Sequence, residues 1–409
     1  MAAASGPGGT ASYTADSECR SIASYTAIFT DRRITMAEPA RLFTDLSPAA
    51  QTNFAELFEQ AQAAAIDRSL RDLPGSFNRK TVKGRDYWYW QVRDLQGVNR
   101  QIYLGPDDER LARLIQLHGE GRSKASSDLG ALAAACASLG CMTVIHQHFA
   151  VINRMAEYGF FRAGGVLIGT HAFIAMAGML GVRWSSGWRT ADVDVAHAGK
   201  NVSLALAENA RADMHDAITS LEMGLLPQQS LAAGPGATYI TARKDIRVDL
   251  LTAAGRKGDV YLYEPLNVSL QPLKFMEFSL EHTTQTVLLS GEQAVLVNIP
   301  SPMRYALHKL VIMGEREESF RTKIVKDAGQ VAALAEYGML RSPAALKTAA
   351  EDLMQRGPGW RSRATEGLRH VAAYHPEIAQ SLGEVLKAAA PARGRKAPST
   401  AAAKAPARR

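Results

Sequence analysis

Cysteine is scarce, with three residues in 409. Cys19, Cys136 and Cys141 are too few for a disulfide scaffold, and their spacing supplies no paired zinc ligands. A reducing, cytoplasmic setting is therefore expected. Long uniform apolar runs are also missing. The longest uncharged stretch near the centre, Ala163–Val182, is interrupted by Gly164, Gly165, Gly169, Gly178 and Gly181 and contains His171. It reads as a buried strand followed by a buried helix rather than a membrane span. The N-terminus lacks the charged-then-apolar order of a secretory signal. Residues 1–38, rich in Ala, Gly, Ser and Thr, are expected to form a disordered leader, with Met36 as an alternative start. No Gly-x-Gly-x-x-Gly follows a strand, which excludes the dinucleotide fingerprint. Acid is absent from the C-terminal end, where seven basic residues lie between Lys387 and Arg409. Without them the chain has 40 basic and 40 acidic residues, so the net charge of +7 belongs to the tail. It does not mark the folded body as a nucleic-acid binder.

What remains is an ordinary globular mixture, 46% hydrophobic and 21% charged, long enough for two or three domains. Residues 39–150 are expected to form an N-terminal accessory region. Residues from about 39 to 72 read as helical, with Ser47-Pro48 an N-cap followed by proline at the first helical position, and Phe54, Leu57, Phe58 and Ala61 on one face. An aromatic hairpin follows, with strands 86–93 and 100–104, then helices over 107–118 and 126–157. Residues 151–300 alternate short strands with helices and read as a catalytic domain. Pro302 opens a helical C-terminal domain over 301–389, and 390–409 form a basic disordered tail.

The chemistry concentrates in Gly164-Gly165-Val166-Leu167-Ile168-Gly169-Thr170-His171 and in Arg189-Thr190-Ala191-Asp192-Val193-Asp194-Val195. On a strand, Asp192 and Asp194 project to the same side while Val193 and Val195 face the core. Carboxylates held together repel unless a cation lies between them. Hard divalent ions accept such oxygen donors and keep positions open for phosphates. A third acid is expected on a neighbouring strand. Asp249, flanked by Val248 and Leu250, is the best candidate, because a charge inside an apolar strand is costly unless paired or metal-bound. Asp245 competes but lies where a turn acid is ordinary.

This order of motifs resembles the DNA polymerase β-type nucleotidyltransferase superfamily. More closely it is similar to bacterial nucleotidyltransferase-like proteins and to the toxin nucleotidyltransferases of abortive-infection systems, which share an Arg-x-Thr/Ser-x-Asp-apolar-Asp stretch, here Arg189 to Asp194. The likeness covers about 160 to 330. Thr170 stands where Ser is commoner, and the Gly-to-Asp interval is long, with Trp184 to Trp188 as the expected insertion.

The resemblance implies an α+β fold: a polymerase β-like core of mixed sheet and flanking helices, with a helical C-terminal domain and a small N-terminal αβ region. It implies transfer of NMP from an NTP to a hydroxyl acceptor, with two Mg²⁺ or Mn²⁺ ions on Asp192, Asp194 and Asp249. It also implies phosphate binding by Gly169 and Thr170, with Lys309, Lys326 and Arg189 as further nucleotide-binding residues. Arg316, Arg321 and Lys323 share the same basic helix. The acceptor is open between RNA, a small molecule and a protein; no membrane partner is expected. Nucleic acid is a further partner through Tyr87, Trp88, Tyr89, Trp90 and the basic tail. A non-catalytic protein that keeps the fold as a nucleotide- or nucleic-acid-binding scaffold is the alternative. His146 and His148 lack a third metal ligand; His171 and His197 read as structural.

Overall fold

Val193 and Val195, and likewise Val248 and Leu250, have no solvent-accessible surface. Each alternates with an aspartate or another polar residue, and this period of two builds the middle of the protein. The coordinates are a computed structural model. They describe residues 41–71, 76–82, 84–93, 99–109, 111–112, 128–187, 189–198, 213–228, 236–254, 259–316 and 321–391. The expected leader, almost all of the basic tail and most of the helix expected over 107–118 lie outside the described residues.

The described chain is α+β. It begins with a short strand β1 (Phe43–Asp45) and helix α1 (Pro48–Arg71). Helix was expected from residue 39. Instead Phe43 is drawn into an antiparallel pair with Trp184, whose ring meets its own edge-on at 6.4 Å. Three antiparallel strands follow, β2 (Ser76–Val82), β3 (Arg85–Arg93) and β4 (Asn99–Pro106). The helix expected over 126–157 is two helices, α2 (residues 128–138) and α3 (His146–Glu157). Gly140 at φ +92° lies in the break.

The central sheet starts at β5 (Gly165–Leu167), which leads into helix α4 (Gly169–Leu180). Strand β6 (Val182–Trp184) pairs with β1, so the expected insertion begins as ordered strand. Strand β7 (Asp192–His197) runs antiparallel to β5. After helix α5 (Met214–Thr219) come β8 (Leu225–Pro227), β9 (Thr238–Thr241) and β10 (Arg247–Ala253). Strands β11 (Tyr261–Tyr263) and β12 (Val268–Leu273) complete it. The sheet order is β11-β12-β10-β7-β5, with β9 joining β10 and β8 joining β9. The β7–β10 and β10–β12 pairs are parallel.

Helix α6 (Met276–Leu280) leads to a hairpin, β13 (Thr283–Ser290) and β14 (Gln293–Pro300). Five helices end the fold: α7 (Pro302–Met313), α8 (Arg321–Arg341), α9 (Pro343–Gln355), α10 (Pro358–Ala372) and α11 (Pro376–Ala389). Four of them open with proline, whose missing N–H costs nothing in a first turn. One buried cluster runs from Val193, Val195 and Leu250 in the sheet to Leu307, Leu310 and Val331 in these helices. A smaller cluster packs Phe54 and Leu57 of α1 on Val287 and Leu289.

Leu250→Ala is expected to lower unfolding free energy by about 2–5 kcal/mol in a urea titration, since the vacated volume is closed in by rigid strands.

Candidate functional site

At the end of β5 the chain turns through Ile168 into α4. Gly169 has φ +62°, a conformation that side chains disfavour. A Cβ placed there would lie 2.1 Å from Asp194 Oδ2. The turn is therefore pressed against the Asp194 carboxylate, and glycine alone allows that approach. Thr170 follows, buried.

Asp194 stands directly opposite Asp249 across the parallel β7–β10 pair, and Asp192 stands opposite Arg247. The pleat puts all four residues on one face, with Val193, Val195, Val248 and Leu250 on the other. Asp245 lies outside this register, in the turn before β10, where it accepts a hydrogen bond from Thr241. The Asp194 carboxyl is pushed up to about 6, first by burial and then by Asp249 and Asp192; Lys309 and Lys326 pull it the other way. Asp249 is engaged on both oxygens. Arg247 Nε donates to them at 2.8 and 3.0 Å, and Thr238 Oγ1 donates to Oδ1 at 2.7 Å.

The expected single basic helix is two. Lys309 is on α7, and Lys323 and Lys326 are on α8. Lys309 and Arg316 both pair with Asp327, which is buried. Burial alone would raise the Asp327 carboxyl, but these two cations outweigh it and hold it below the usual range. Lys326 is half-buried and close enough to Asp194 and Asp192 to feel both. Its ammonium is lowered by burial and by Lys309. Lys323 Nζ lies 3.8 Å from Asp192 Oδ2. Arg189 is exposed, on the approach to β7.

Sequence reasoning missed what ties these helices to the glycine turn. Tyr305 Oη lies 2.7 Å from the Gly169 carbonyl and 2.9 Å from Gln330 Oε1. The Gln330 amide donates to Gly187 O at 2.6 Å and to Thr170 Oγ1 at 3.3 Å. Gln330, fully buried four residues after Lys326, was legible only as one polar residue in an apolar run. His148, left without a role, meets His171 at 3.0 Å between ring nitrogens, both buried. Burial, with His148 and Lys326 beside it, lowers His171 to about 3 and keeps it neutral. His197 donates to Ala163 O at 2.8 Å, a structural bond.

Among the described residues no group of three or more His, Cys, Asp or Glu side chains is gathered ready to hold a metal ion. At Asp249, Arg247 and Thr238 already occupy the carboxylate oxygens. The donor chemistry nevertheless fits a hard cation. Three carboxylates share one face, and burial and its two acidic neighbours together hold back ionisation of the central one.

A strand, a glycine turn and a helix set beside in-register acids, with lysines opposite, make a site suited to a charged phosphate ligand. Residues 146–355, just over half of the chain, match the family described as Nucleotidyltransferase, and the chain belongs to that family. Among solved structures it is similar to an antigenic nucleotidyltransferase-like protein from Paracoccidioides brasiliensis. The identity is 15% over 55% of this chain and 94% of the other, and the TM-score is 0.26, too slight a likeness to bear on the fold. No curated protein matches. Among the described residues no helix is long and apolar enough to cross a membrane.

Because the folded-state Asp194 binds its proton more tightly than the unfolded chain does, its ionised form costs stability as pH rises through about 6. In chelator at neutral pH, Asp194→Asn is expected to be more stable than wild type by about 1–3 kcal/mol, measured by denaturant unfolding. The gain should vanish toward about pH 4, where the wild-type carboxyl is protonated in the folded protein. Gly169→Ala should cost about 1–3 kcal/mol in the same measurement, through its left-handed φ and the push on Asp194.

Proposed function

We propose that the chain is a metal-dependent nucleotidyltransferase that moves NMP from an NTP to a hydroxyl acceptor and releases pyrophosphate. The observation that carries this reading is the β7–β10 register, which sets Asp194 beside Asp249 with Asp192 on the same face. Asp192 and Asp194 would hold two Mg²⁺ or Mn²⁺ ions, and Asp249 one of them. When bound, such ions neutralise triphosphate charge and make a hydroxyl easier to deprotonate.

The chain's own residues account for the rest. The α4 N-terminus offers backbone N–H groups at Gly169 and Thr170 to a phosphate, supplemented by the Thr170 hydroxyl. Lys309 and Lys326 supply positive charge across from the acids, and Lys309 is fixed in place by Asp327. Arg189 is a further phosphate contact. Asp249 must leave Arg247 before it can bind metal or take the acceptor proton, so Arg247 decides when the third acid is available. The acceptor is an RNA 3′ end, a small molecule or a protein hydroxyl. One observation favours the alternative of a non-catalytic nucleotide-binding protein: Asp249 is already neutralised within its own strand.

Purified protein given each labelled NTP with Mg²⁺ or Mn²⁺ is expected to transfer label. Asp192→Ala and Asp194→Ala should each lose about a hundredfold or more of that activity, and Lys326→Ala should raise the NTP KM about tenfold. Transfer that survives Asp192→Ala would remove these acids from the mechanism. NTP binding without transfer to RNA, small-molecule or protein acceptors would favour the binding protein.

A further inference from the structure

Six basic residues (Arg79, Lys80, Lys83, Arg85, Arg93 and Arg100) stand against two acids, Asp86 and Asp94, within residues 76–106. The body as a whole is formally neutral, so this local surplus is balanced by acids elsewhere in it. The same stretch holds six of the 29 aromatic residues of the chain: Phe77, Tyr87, Trp88, Tyr89, Trp90 and Tyr103. The β2–β4 sheet sorts them. Tyr87 and Tyr89 are two apart on β3 and share a face. Tyr103 is directly opposite Tyr89, after a bulge that leaves Leu104 unpaired, and Lys80 is directly opposite Tyr87. The Tyr103 ring lies 5.6 Å from Tyr89 and 6.0 Å from Tyr87, and Lys80 Nζ stands 5.8 Å from the Tyr89 ring centre. Tyr103 is 55% exposed.

The opposite face is closed by its own bonds. Trp88 donates its indole N–H to Asp107 at 2.7 Å, and Arg79, in register with Trp88, pairs with both Asp107 and Asp86. Trp88 therefore leaves the expected stacking set, the Trp90 side chain lies outside the described residues, and Tyr103 joins it.

We infer that the tyrosine face of this sheet binds single-stranded nucleic acid. Bases stack on Tyr89 and Tyr103, and Lys80, with Arg85 two residues before Tyr87 on the same face, meets the phosphates. Aromatic rings on a basic strand surface suit this ligand because every base offers a π-face and every link a negative charge. A folded duplex offers no free faces to the rings. The inference rests on the sheet alone and does not require the acids to transfer nucleotides.

The full chain, in chelator and without NTP, is titrated against a labelled single-stranded RNA oligonucleotide by fluorescence anisotropy, with its duplex as a second probe. Single strand is expected to bind more tightly than duplex. Tyr89→Ala with Tyr103→Ala should weaken single-strand binding at least tenfold, roughly the loss of one stacked base. Tyr89→Phe with Tyr103→Phe should retain it, and Lys80→Gln should reduce the salt slope by about one. Tyr89→Ala with Tyr103→Ala should leave thermal stability and NTP binding unchanged, which separates this result from failure of the transferase reading. A wild type with no preference for single strand would overturn the inference. So would a folded alanine pair that binds RNA like wild type, because the basic tail would then account for all affinity.

Discussion

The site depends on the pairing of two parallel strands. Asp194 and Asp249 are some fifty residues apart in sequence, and they become neighbours because β7 and β10 meet in a register that Val193, Val195, Val248 and Leu250 enforce from the other face. A shift by one residue would bury the acids and expose the valines, a costly exchange. Tyr305 and Gln330 tie α7 and α8 to the glycine turn, and with them Lys309 and Lys326. The hydrophobic effect thus drives together carboxylates that would otherwise separate, and burial beside Asp249 and Asp192 pushes the Asp194 carboxyl up.

Much of this was legible because strand period and chemistry coincide. Asp-Val-Asp-Val announces two acids on one face, and an aspartate between Val248 and Leu250 announces a third that needs a partner. Pro302 marked a helix start correctly, and Pro343, Pro358 and Pro376 mark starts in the same way. The hairpin strands 283–290 and 293–300 fell close to their expected limits.

What sequence left dark depends on partners distant in the chain. Nothing local says that Gln330 reaches Gly187 and Thr170, that Tyr305 reaches the Gly169 carbonyl, or that His148 meets His171. Arg247 read as an ordinary strand residue until its register opposite Asp192 placed it on the acid face, two residues from the carboxylate it clamps. The strand at Phe43 was hidden for the same reason, since its partner among the described residues is Val182–Trp184. In the β2–β4 sheet, composition identified an aromatic stripe, but only pairing divided it into an open side and a tethered one.

The Asp327 ion pairs have one more consequence. A single buried anion shared by Lys309 and Arg316 leaves α7 and the start of α8 with excess positive charge, to which Lys326 adds. Asp192 and Asp194, on the neighbouring strand, are negative. Charge is thus divided between two elements, and the field runs from the helices toward the strand, drawing anions to one side and cations to the other.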